Sequence, residues 1–430
     1  MHPLFPRADE IAGFALQAAY LGAAFALAVL LTRTLGAEEF GRFALVQAWL
    51  LMAAGGISSG MVALLVREIA SDRAEGRAAE ARGLAVFAVR TTAAASLGLA
   101  AIGVGIAALG PEELRLTGLI AALALPFLVQ TSVSGGIARG LGAVVPGLAP
   151  DMVLRPVFHL AAVASLVAAG LTATAALAIT GFVLAAALAC LAGEAVRRRA
   201  MASALPTIAP AQAAGRWWSS LRALYPGGWI DAATLQLGVI LVGLLGGPED
   251  AGGLRVATQL AMLGTFGMTV MVNLQGPALA AAAARHDRAR MQALARRAAR
   301  LSLAVAGPLA LLAIFAGGPV LGLLFGAEFA EFAQALAVLA LGQCCRAATG
   351  TVAQTLLAVR AEAAMTRTMA AALCLYAVLG MLLVPVAGAL GAALAWTLAT
   401  AVERGGLVWL AWGRAGILCL PAGRAARHPS

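Results

Sequence analysis

Lysine is absent from the 430-residue chain, cysteine occurs five times, and charged residues make up only 12% of the sequence. Soluble domains contain about a quarter charged residues, so this composition lies far outside soluble usage. The cysteines lack paired C-x-x-C spacing, which argues against both a disulfide framework and a zinc site. Hydrophobic residues account for 62% of the chain, and the mean hydropathy is +0.91. The chain is therefore predicted to be an integral membrane protein.

Long apolar runs divide the chain into membrane-length segments. A transmembrane helix needs about twenty mainly apolar residues. The predicted spans are 11–32, 43–66, 84–109, 117–137, 152–171, 173–193, 224–246, 254–283, 301–324, 332–358, 366–387 and 389–412. Residues 1–10 lack the features of a cleaved signal peptide, so the first span is predicted to be retained. The predicted fold class is an all-α polytopic membrane protein with about twelve transmembrane helices.

The arginines predict the topology, because short cytoplasmic loops carry an excess of basic residues. With a cytoplasmic N-terminus, 23 of the 30 arginines lie on the inner side and four on the outer side. This predicts an even number of spans with both termini in the cytoplasm. The net charge of +10 is then a membrane-surface feature, and no nucleic-acid partner is predicted. The outer turns are short and acidic, so any activity is expected within the helices or at their ends.

Two turns recur at nearly one offset. Residues 36–41 match 247–252 at an offset of 211, and the turn at 110–113 matches 326–328 at an offset of 216. This predicts two parallel six-helix repeats. The predicted domains are an N-terminal lobe at 1–193, a cytoplasmic amphipathic linker at 194–223, a C-terminal lobe at 224–412 and a basic tail at 413–430. Within the linker, Arg216, Trp217, Trp218 and Arg222 are predicted to form an interfacial helix with tryptophans at headgroup depth.

The repeated turn is predicted to be a structural hairpin rather than an active site. Its residues are Arg33, Gly36, Glu38, Glu39 and Gly41 in the first copy, and Gly247, Glu249 and Asp250 in the second. Gly36 suits a left-handed helix end. Glu38 and Glu39 fall in the first turn of the next helix, where the helix dipole favours negative charge. Arg33 and Arg42 are expected to reach the outer surface or to pair with these glutamates.

Polar residues within spans are the substrate-binding candidates, because ionisable groups there are costly and usually face a cavity or a partner. The candidates are Arg346, Arg404, Arg90, Gln343, Gln354, Asp231, Thr265, Thr269 and Asn273. Arg346 is predicted near the middle of its span, on a polar helical stripe formed by Gln343, Arg346, Gly350 and Gln354. It can face a cavity or form a buried pair between helices.

The other candidates have structural alternatives. Arg90 and Arg404 lie nearer the cytoplasmic ends of their spans, so their side chains can snorkel to the surface. Asp231 can pair with an arginine or serve as a coupling-ion carboxylate. The threonines of the eighth span can line a cavity or allow close helix packing.

Signals of enzyme chemistry are weak. The four histidines are isolated, and there is no G-x-S-x-G motif, phosphate-binding glycine loop or metal-ligand cluster. His159 is predicted to be a hydrogen-bonded residue within a helix. No catalytic residue, metal or cofactor is predicted, and transport would draw on an ion gradient, the membrane potential or the substrate's own gradient.

Several motifs, taken in order, resemble bacterial lipid-linked oligosaccharide flippases. They are R-x-L-G-x-E-E-F-G-x-F at 33–43, RGLG at 139–142 leading to LRP at 154–156, PVLGLLFGAEF at 319–329, and GALGAALAWTLAT at 388–400. Such proteins translocate O-antigen and polysaccharide units and belong to the multidrug/oligosaccharidyl-lipid/polysaccharide exporter (MOP) superfamily. The resemblance extends over essentially the whole chain.

The resemblance implies a MATE-like V of two six-helix lobes around a cationic cavity, in the bacterial inner membrane. It implies alternating access that carries an undecaprenyl-pyrophosphate-linked glycan from the cytoplasmic to the periplasmic leaflet. The implied partners are the lipid bilayer, this lipid-linked glycan, and polysaccharide polymerase and chain-length machinery. Arginine suits this substrate, because a guanidinium binds phosphate oxygens bidentately and stays charged in a low dielectric.

Three alternatives remain open at this point. A lipid II flippase would share the transport class. A multidrug or cation antiporter would share the fold and favour cavity carboxylates over arginines. A membrane glycan polymerase or ligase would carry a substantial periplasmic loop with catalytic groups.

Overall fold

The structure is a computed structural model that describes residues 8–422, except positions 171, 207, 212, 286 and 360. Side chains are described from residue 15, with 266, 270, 273, 274, 276, 277 and 280 as further exceptions. The side chain of the candidate Asn273 and the tail residues 423–430 therefore lie outside the described residues. In the described part of the chain all regular structure is helical. The prediction of an all-α polytopic fold is confirmed.

Nine helices among the described residues are long and apolar enough to cross a membrane. Two of them are long enough for two crossings at about twenty residues each: Ala8–Ala74 has 67 residues and Glu362–Ala415 has 54. Both are interrupted, the first at Gly36 and the second at Ala387 and Gly388. With each counted as two crossings, and with the helical stretch from Pro248 to Ala284 added, the helices match the twelve predicted spans one for one.

The chain forms two compact units, Met1–Gln236 and Leu237–Ser430. The first contains α1 (Ala8–Ala74), α2 (Ala78–Leu109), α3 (Glu112–Ala122), α4 (Ala124–Gly140), α5 (Val144–Ala149), α6 (Arg155–Ala168), α7 (Ala175–Ala204) and the start of α8 (Ala214–Leu245). The second contains the end of α8, α9 (Pro248–Ala261), α10 (Phe266–Ala284), α11 (Arg288–Phe325), α12 (Ala333–Thr349), α13 (Val352–Ala358) and α14 (Glu362–Ala415).

The first half of α8 packs within the first unit. The Tyr225 hydroxyl donates to the Ile57 carbonyl at 2.8 Å, and the Trp217 ring lies 5.2 Å from that of Phe87. Trp217 is only 2% exposed, because Phe87 of α2 packs against it. Its predicted place at headgroup depth stays a prediction. Trp218 is half exposed. The bounds of the two lobes and of the linker stay a prediction.

A buried carboxylate holds together the residues of the turn between α1 and α2. The Asp72 side chain is fully buried and accepts hydrogen bonds from Nε and Nη2 of Arg77, at 2.9 and 2.7 Å. This bond raises the pKa of Arg77 above its ordinary value. Arg216, at the start of α8, pairs with Glu80 at 2.9 Å. These pairs join the start of α8 to the C-terminal end of α1 and the N-terminal end of α2.

The first hairpin turns at Gly36, which has φ 73° and ψ 175°. Only glycine adopts this region without strain. The φ is positive, as a left-handed helix end requires, but the ψ is extended, so Gly36 does not adopt the left-handed helical conformation. Arg42 pairs with Glu38 at 2.7 Å and Glu39 at 2.5 Å, as predicted. The second carboxylate oxygen of Glu39 accepts from the backbone N–H of Ala175 at 2.6 Å, 136 residues away. Glu39 therefore caps the N-terminus of α7.

The second unit repeats this contact. Gly247, with φ 128°, starts the turn before α9, and Asp250 lies in the first turn of that helix. The Asp250 carboxylate accepts from the backbone N–H of Ala389 at 3.3 Å, 139 residues away. Ala389 follows Gly388, where the second half of α14 begins. Each unit therefore joins its first hairpin, through one carboxylate, to the start of the last crossing that lies entirely within that unit.

The fifth crossing begins earlier than predicted. The span predicted at 152–171 is a continuous helical segment from Val144 to Ala168, with a π-helix at Pro150–Leu154. Prolines normally end a helix, but a π turn accommodates the missing hydrogen bonds here. Asp151 and Arg155 both lie in this helical segment.

Removal of the hairpin carboxylate tests its role in each unit. Glu39→Ala and Asp250→Ala are each expected to lower stability by about 0.5–2 kcal/mol, the usual cost of a lost N-cap. They are also expected to increase amide hydrogen exchange at Ala175 and Ala389, respectively. Glu38→Ala is the matched control, because the Glu38 side chain is 62% exposed and such surface pairs contribute about 0–1 kcal/mol. Unchanged exchange at both helix starts would contradict the capping role.

Candidate functional site

Gln343 and Arg346 lie one turn apart on α12, inside the second unit. This helix packs closely against α14 because small residues line the contact: a Cβ on Gly342 would collide with Trp396 and Thr397. The Thr397 hydroxyl also donates to the Val338 carbonyl at 3.0 Å. Arg346 is half buried in the second part of the candidate span Ala327–Ala358. A guanidinium is thus held well inside a membrane-length segment.

Gln343 is almost completely buried, and its Oε1 has no hydrogen-bond partner among the described residues. It lies beside a cavity of about 70 Å³ whose walls come from α9, α11, α12 and the 3₁₀ turn Met262–Thr265. The other lining residues are apolar, among them Leu260, Ala306 and Leu336. A buried acceptor without a partner destabilises a fold by about 1–3 kcal/mol. The unpaired Oε1 of Gln343 therefore lowers the stability of the second unit.

The predicted polar stripe is shorter than expected. Helix α12 ends at Thr349, and Gly350 adopts φ 51° and ψ −119°, a conformation that ends the helical repeat. Gly350 lies against the backbone of Ala298 and Ala299, where a Cβ would not fit. Gln354 is on the separate helix α13 and is half buried. The single stripe from Gln343 to Gln354 is therefore wrong, whereas Gln343 and Arg346 remain together.

The threonine candidates flank a break in the eighth crossing. The 3₁₀ turn Met262–Thr265 separates α9 from α10, and such a turn inside a long helix often marks a hinge. The Thr265 hydroxyl donates to the Met262 carbonyl at 2.7 Å, and the Thr269 hydroxyl donates to the Thr265 carbonyl at 3.2 Å. Both hydroxyl protons are therefore used locally, which leaves the oxygens as acceptors. Gly264, within the turn, lies beside Gln343.

Arg404 pairs with its neighbour Glu403 on α14, with Nη2 of Arg404 3.1 Å from Oε1 of Glu403. The two side chains are only 11% and 10% exposed, so the arginine is held inside the unit. The pair is neutral as a whole, which favours a structural role for Arg404. The Arg404 Nε is buried and has no hydrogen-bond partner among the described residues.

Arg90 and Asp231 lie in the first unit, on α2 and α8, and both are exposed. Arg90 faces away from the packed side of α2, the side that carries Ala88 and Thr92. The exposed residues of this helix include Leu97 and Ile102, as expected of a lipid-facing surface. That position favours the snorkelling alternative for Arg90.

A charged pair in the fifth crossing was not among the candidates predicted from the sequence. Nε of Arg155 donates to Oδ1 of Asp151 at 3.0 Å, and Nη2 lies 2.9 Å from the same oxygen. The sequence offered a signal in the LRP motif at 154–156, which was used only as a family motif. One turn further along α6, His159 is buried, and its Nε2 lies 3.0 Å from the carbonyl of Ala178 on α7. This confirms the prediction that His159 is a hydrogen-bonded residue of a helix.

No group of three or more metal-binding side chains occurs among the described residues. All five cysteines are free thiols. Burial raises the pKa of Cys419 to about 11, so this thiol stays protonated at neutral pH.

A family model described as "Polysaccharide biosynthesis protein" matches residues 13–279, more than half of the chain. The chain belongs to this family. Comparison with curated proteins gave no significant match. Family membership agrees with the resemblance drawn from the hairpin and LRP motifs, both of which lie inside the matched region.

Solved structures similar to this polysaccharide biosynthesis family member include two MOP superfamily transporters and a lipid II flippase. An inward-facing multidrug resistance MATE family transporter of the MOP superfamily is 14% identical, with a TM-score of 0.72 over 93% of this chain and 94% of that chain. Lipid II flippase MurJ, in an inward closed conformation, is 13% identical with a TM-score of 0.72, over 93% and 86%. A MOP superfamily transporter from Pyrococcus furiosus is 13% identical with a TM-score of 0.63, over 94% and 93%. At these identities the likeness shows the fold, and the predicted MATE-like fold is confirmed.

Substitution of Gln343 tests whether its side-chain amide lowers the stability of the protein. Gln343→Leu is expected to stabilise the protein by about 1 kcal/mol, because an unsatisfied buried acceptor is replaced by an apolar side chain beside an apolar cavity. Thermal unfolding in detergent measures this change. Gln354→Leu is the matched control, since that glutamine is half buried. A lower melting temperature for correctly folded Gln343→Leu would show that the amide has a stabilising partner.

Proposed function

We propose that this protein is a flippase for an undecaprenyl-pyrophosphate-linked oligosaccharide used in cell-surface polysaccharide synthesis. It carries the lipid from the cytoplasmic to the periplasmic leaflet of the bacterial inner membrane, with both of its own termini in the cytoplasm. The family description and the MATE-like fold support this assignment at the level of a membrane transporter in polysaccharide biosynthesis. The glycan and the direction of transport belong to the proposal.

The observation that carries the proposal is the half-buried Arg346 within a span. Moving a pyrophosphate through hydrocarbon exposes an anion to a low dielectric, which is the main barrier to spontaneous lipid flipping. A guanidinium offers a bidentate fork that matches phosphate oxygens and keeps its charge at every physiological pH. Arg346 would bind the headgroup near mid-membrane while the isoprenoid tail stays in the lipid.

Alternating access requires helices that bend at defined points. In the second unit such points are the 3₁₀ turn Met262–Thr265, the break at Gly350 and the break at Gly388. The first of these adjoins Gln343, one turn from Arg346. A headgroup bound at Arg346 would therefore contact segments that are able to change conformation, which couples binding to movement.

A lipid II flippase is the second candidate, favoured by the shared fold with MurJ. Its substrate also has a pyrophosphate-linked polyprenyl carrier, so the same arginine would serve it. A cation antiporter is less well supported, because Asp151 and Glu403 are already paired with Arg155 and Arg404 inside spans. A glycan polymerase would act on the flipped product and is proposed as a partner, together with chain-length machinery.

Arg346→Ala tests the proposed headgroup contact. Glycan export in cells is expected to fall at least about tenfold, since a hydrogen bond to a charged group contributes roughly 1.5–3 kcal/mol. Arg346→Lys is expected to retain part of the activity, because the charge stays and the bidentate geometry is lost. Surface polysaccharide is measured by immunoblot at matched levels of membrane-inserted protein.

Arg297→Ala is the control, because Arg297 is an exposed arginine of the same unit, near the start of α11. Full export by Arg346→Ala at normal expression would contradict the headgroup assignment.

A further inference from the structure

A non-helical segment follows the last helix of the second unit. Helix α14 ends where Gly416 adopts a left-handed conformation, with φ 68° and ψ 24°, which turns the backbone out of the helix. Residues 416–421 then continue without regular structure and reach the first part of α11, where two side chains bind them. Residues 416–421 are called here the C-terminal strap.

A single glutamine side chain clamps the C-terminal strap to α11. Nε2 of Gln292 donates to the Leu418 carbonyl at 2.7 Å, and the Leu418 N–H donates to Oε1 of Gln292 at 2.9 Å. Both ends of the amide are therefore paired with one residue of the strap. Gln292 is only 1% exposed, so water competes little for these bonds. About two turns further along α11, Nε of Arg300 donates to the Pro421 carbonyl at 2.9 Å.

The C-terminal strap also belongs to the hydrophobic packing at this end of the unit. Ile417 and Cys419 are fully buried, and their spacing places both on one side of an extended backbone. The Cys419 thiol lies 3.8 Å from the Thr355 hydroxyl of α13. The two buried residues join a cluster with side chains of α10, α11, α13 and α14, among them Leu279, Met291, Leu356 and Leu407. The strap therefore contacts α13 as well as α11.

Helix α13 depends on its neighbours for its position. It has only seven residues, Val352–Ala358, and a helix of that length is not stable alone. The break at Gly350 separates it from α12, so it is not held by continuation of that helix. It packs mainly on α10 and α14 and touches α11 only slightly. The C-terminal strap supplies the missing connection, because it is hydrogen-bonded to α11 and packed against α13.

We propose that the C-terminal strap is a releasable lock that holds α13 in place relative to α11 and restrains bending at Gly350. While the strap is docked, α13 cannot move away from α11 without breaking the Gln292–Leu418 hydrogen bonds or exposing Ile417 and Cys419. Release requires six residues to leave one surface, and no helix has to unfold. The lock rests on the contacts within the second unit, whereas its effect on lipid transport rests on the proposed function.

A lock and a permanent structural contact predict opposite effects when the clamp is weakened. Weakening a lock raises the population in which α13 is able to move, so transport becomes faster. Loss of a permanent contact lowers the stability of the second unit, so transport becomes slower. The two also differ in where hydrogen exchange increases. Release of a lock increases exchange in the strap and α13, whereas general destabilisation increases it in all helices of the unit.

Cys419 is a built-in reporter of strap release. Burial raises the pKa of its thiol to about 11, and the thiolate is the reactive form, so the docked thiol reacts slowly with a maleimide. Maleimide labelling of Cys419 is measured on the purified full-length protein in nanodiscs, together with hydrogen exchange in residues 352–358. For the labelling experiment alanine replaces the four other cysteines, Cys190, Cys344, Cys345 and Cys374.

Gln292→Leu is expected to accelerate labelling of Cys419 about tenfold, because it removes both hydrogen bonds of the clamp. Arg300→Ala removes one exposed bond and is expected to accelerate it about threefold. Arg297→Ala is the matched control, since Arg297 is also exposed and lies one turn from Arg300 on α11. Where Gln292→Leu does not fold, the comparison of Arg300→Ala with Arg297→Ala decides. Equal labelling of all variants, or increased exchange in every helix of the unit, would overturn the lock.

A reversible cross-link tests whether transport needs release of the strap. Thr355→Cys places a second thiol beside Cys419, and a disulfide between them fixes the strap to α13. Transport of labelled undecaprenyl-pyrophosphate-linked oligosaccharide across vesicles is expected to stop on oxidation and to return on reduction. Gln292→Leu is expected to transport faster than the wild type. Full transport by the cross-linked protein, or slower transport by folded Gln292→Leu, rejects the lock. Absence of transport by the wild type, with labelling as expected, rejects only the flippase assignment.

Discussion

One hydrogen bond, made twice, organises the helices of this protein. In each unit a carboxylate at the first hairpin accepts from the backbone N–H that begins the last crossing, from Glu39 to Ala175 and from Asp250 to Ala389. The N–H groups of a helix start have no partner within the helix, and unsatisfied backbone groups are costly near a membrane. A carboxylate meets both the hydrogen-bonding need and the positive end of the helix dipole. Each hairpin is thereby fixed to the last crossing that lies entirely within its own unit.

The need for a nearby partner also applies to the charged side chains deeper in the helices. Asp151 with Arg155 and Glu403 with Arg404 are close pairs within single helical segments, so each carboxylate has its counter-charge nearby. Arg346 places a further guanidinium on a helix of the second unit. Membership of a polysaccharide biosynthesis family and a fold shared with MOP superfamily transporters agree with a membrane transporter.

Sequence reasoning succeeded where a residue type has one physical use. Glycine followed by acidic residues predicted both hairpins, because only glycine tolerates the positive φ of Gly36 and Gly247. Hydropathy predicted the twelve crossings because an apolar segment that crosses hydrocarbon must be helical to satisfy its own backbone hydrogen bonds. It failed where packing decides. A π turn carried the fifth helix through prolines, and Gly350 ended α12 within the polar stripe. Arg346 was recognisable because it lies far inside an apolar stretch, whereas the π turn that carries Asp151 was not.

The central claim is that this chain moves a lipid-linked anion across a bilayer by means of arginines held inside its spans. Reconstitution of the purified protein into vesicles tests it most directly, with a labelled undecaprenyl-pyrophosphate-linked oligosaccharide and an imposed membrane potential or ion gradient. The account predicts movement of the label between leaflets that depends on the protein and is strongly reduced in Arg346→Ala. Equal rates in protein-containing and protein-free vesicles under each form of energisation would contradict it.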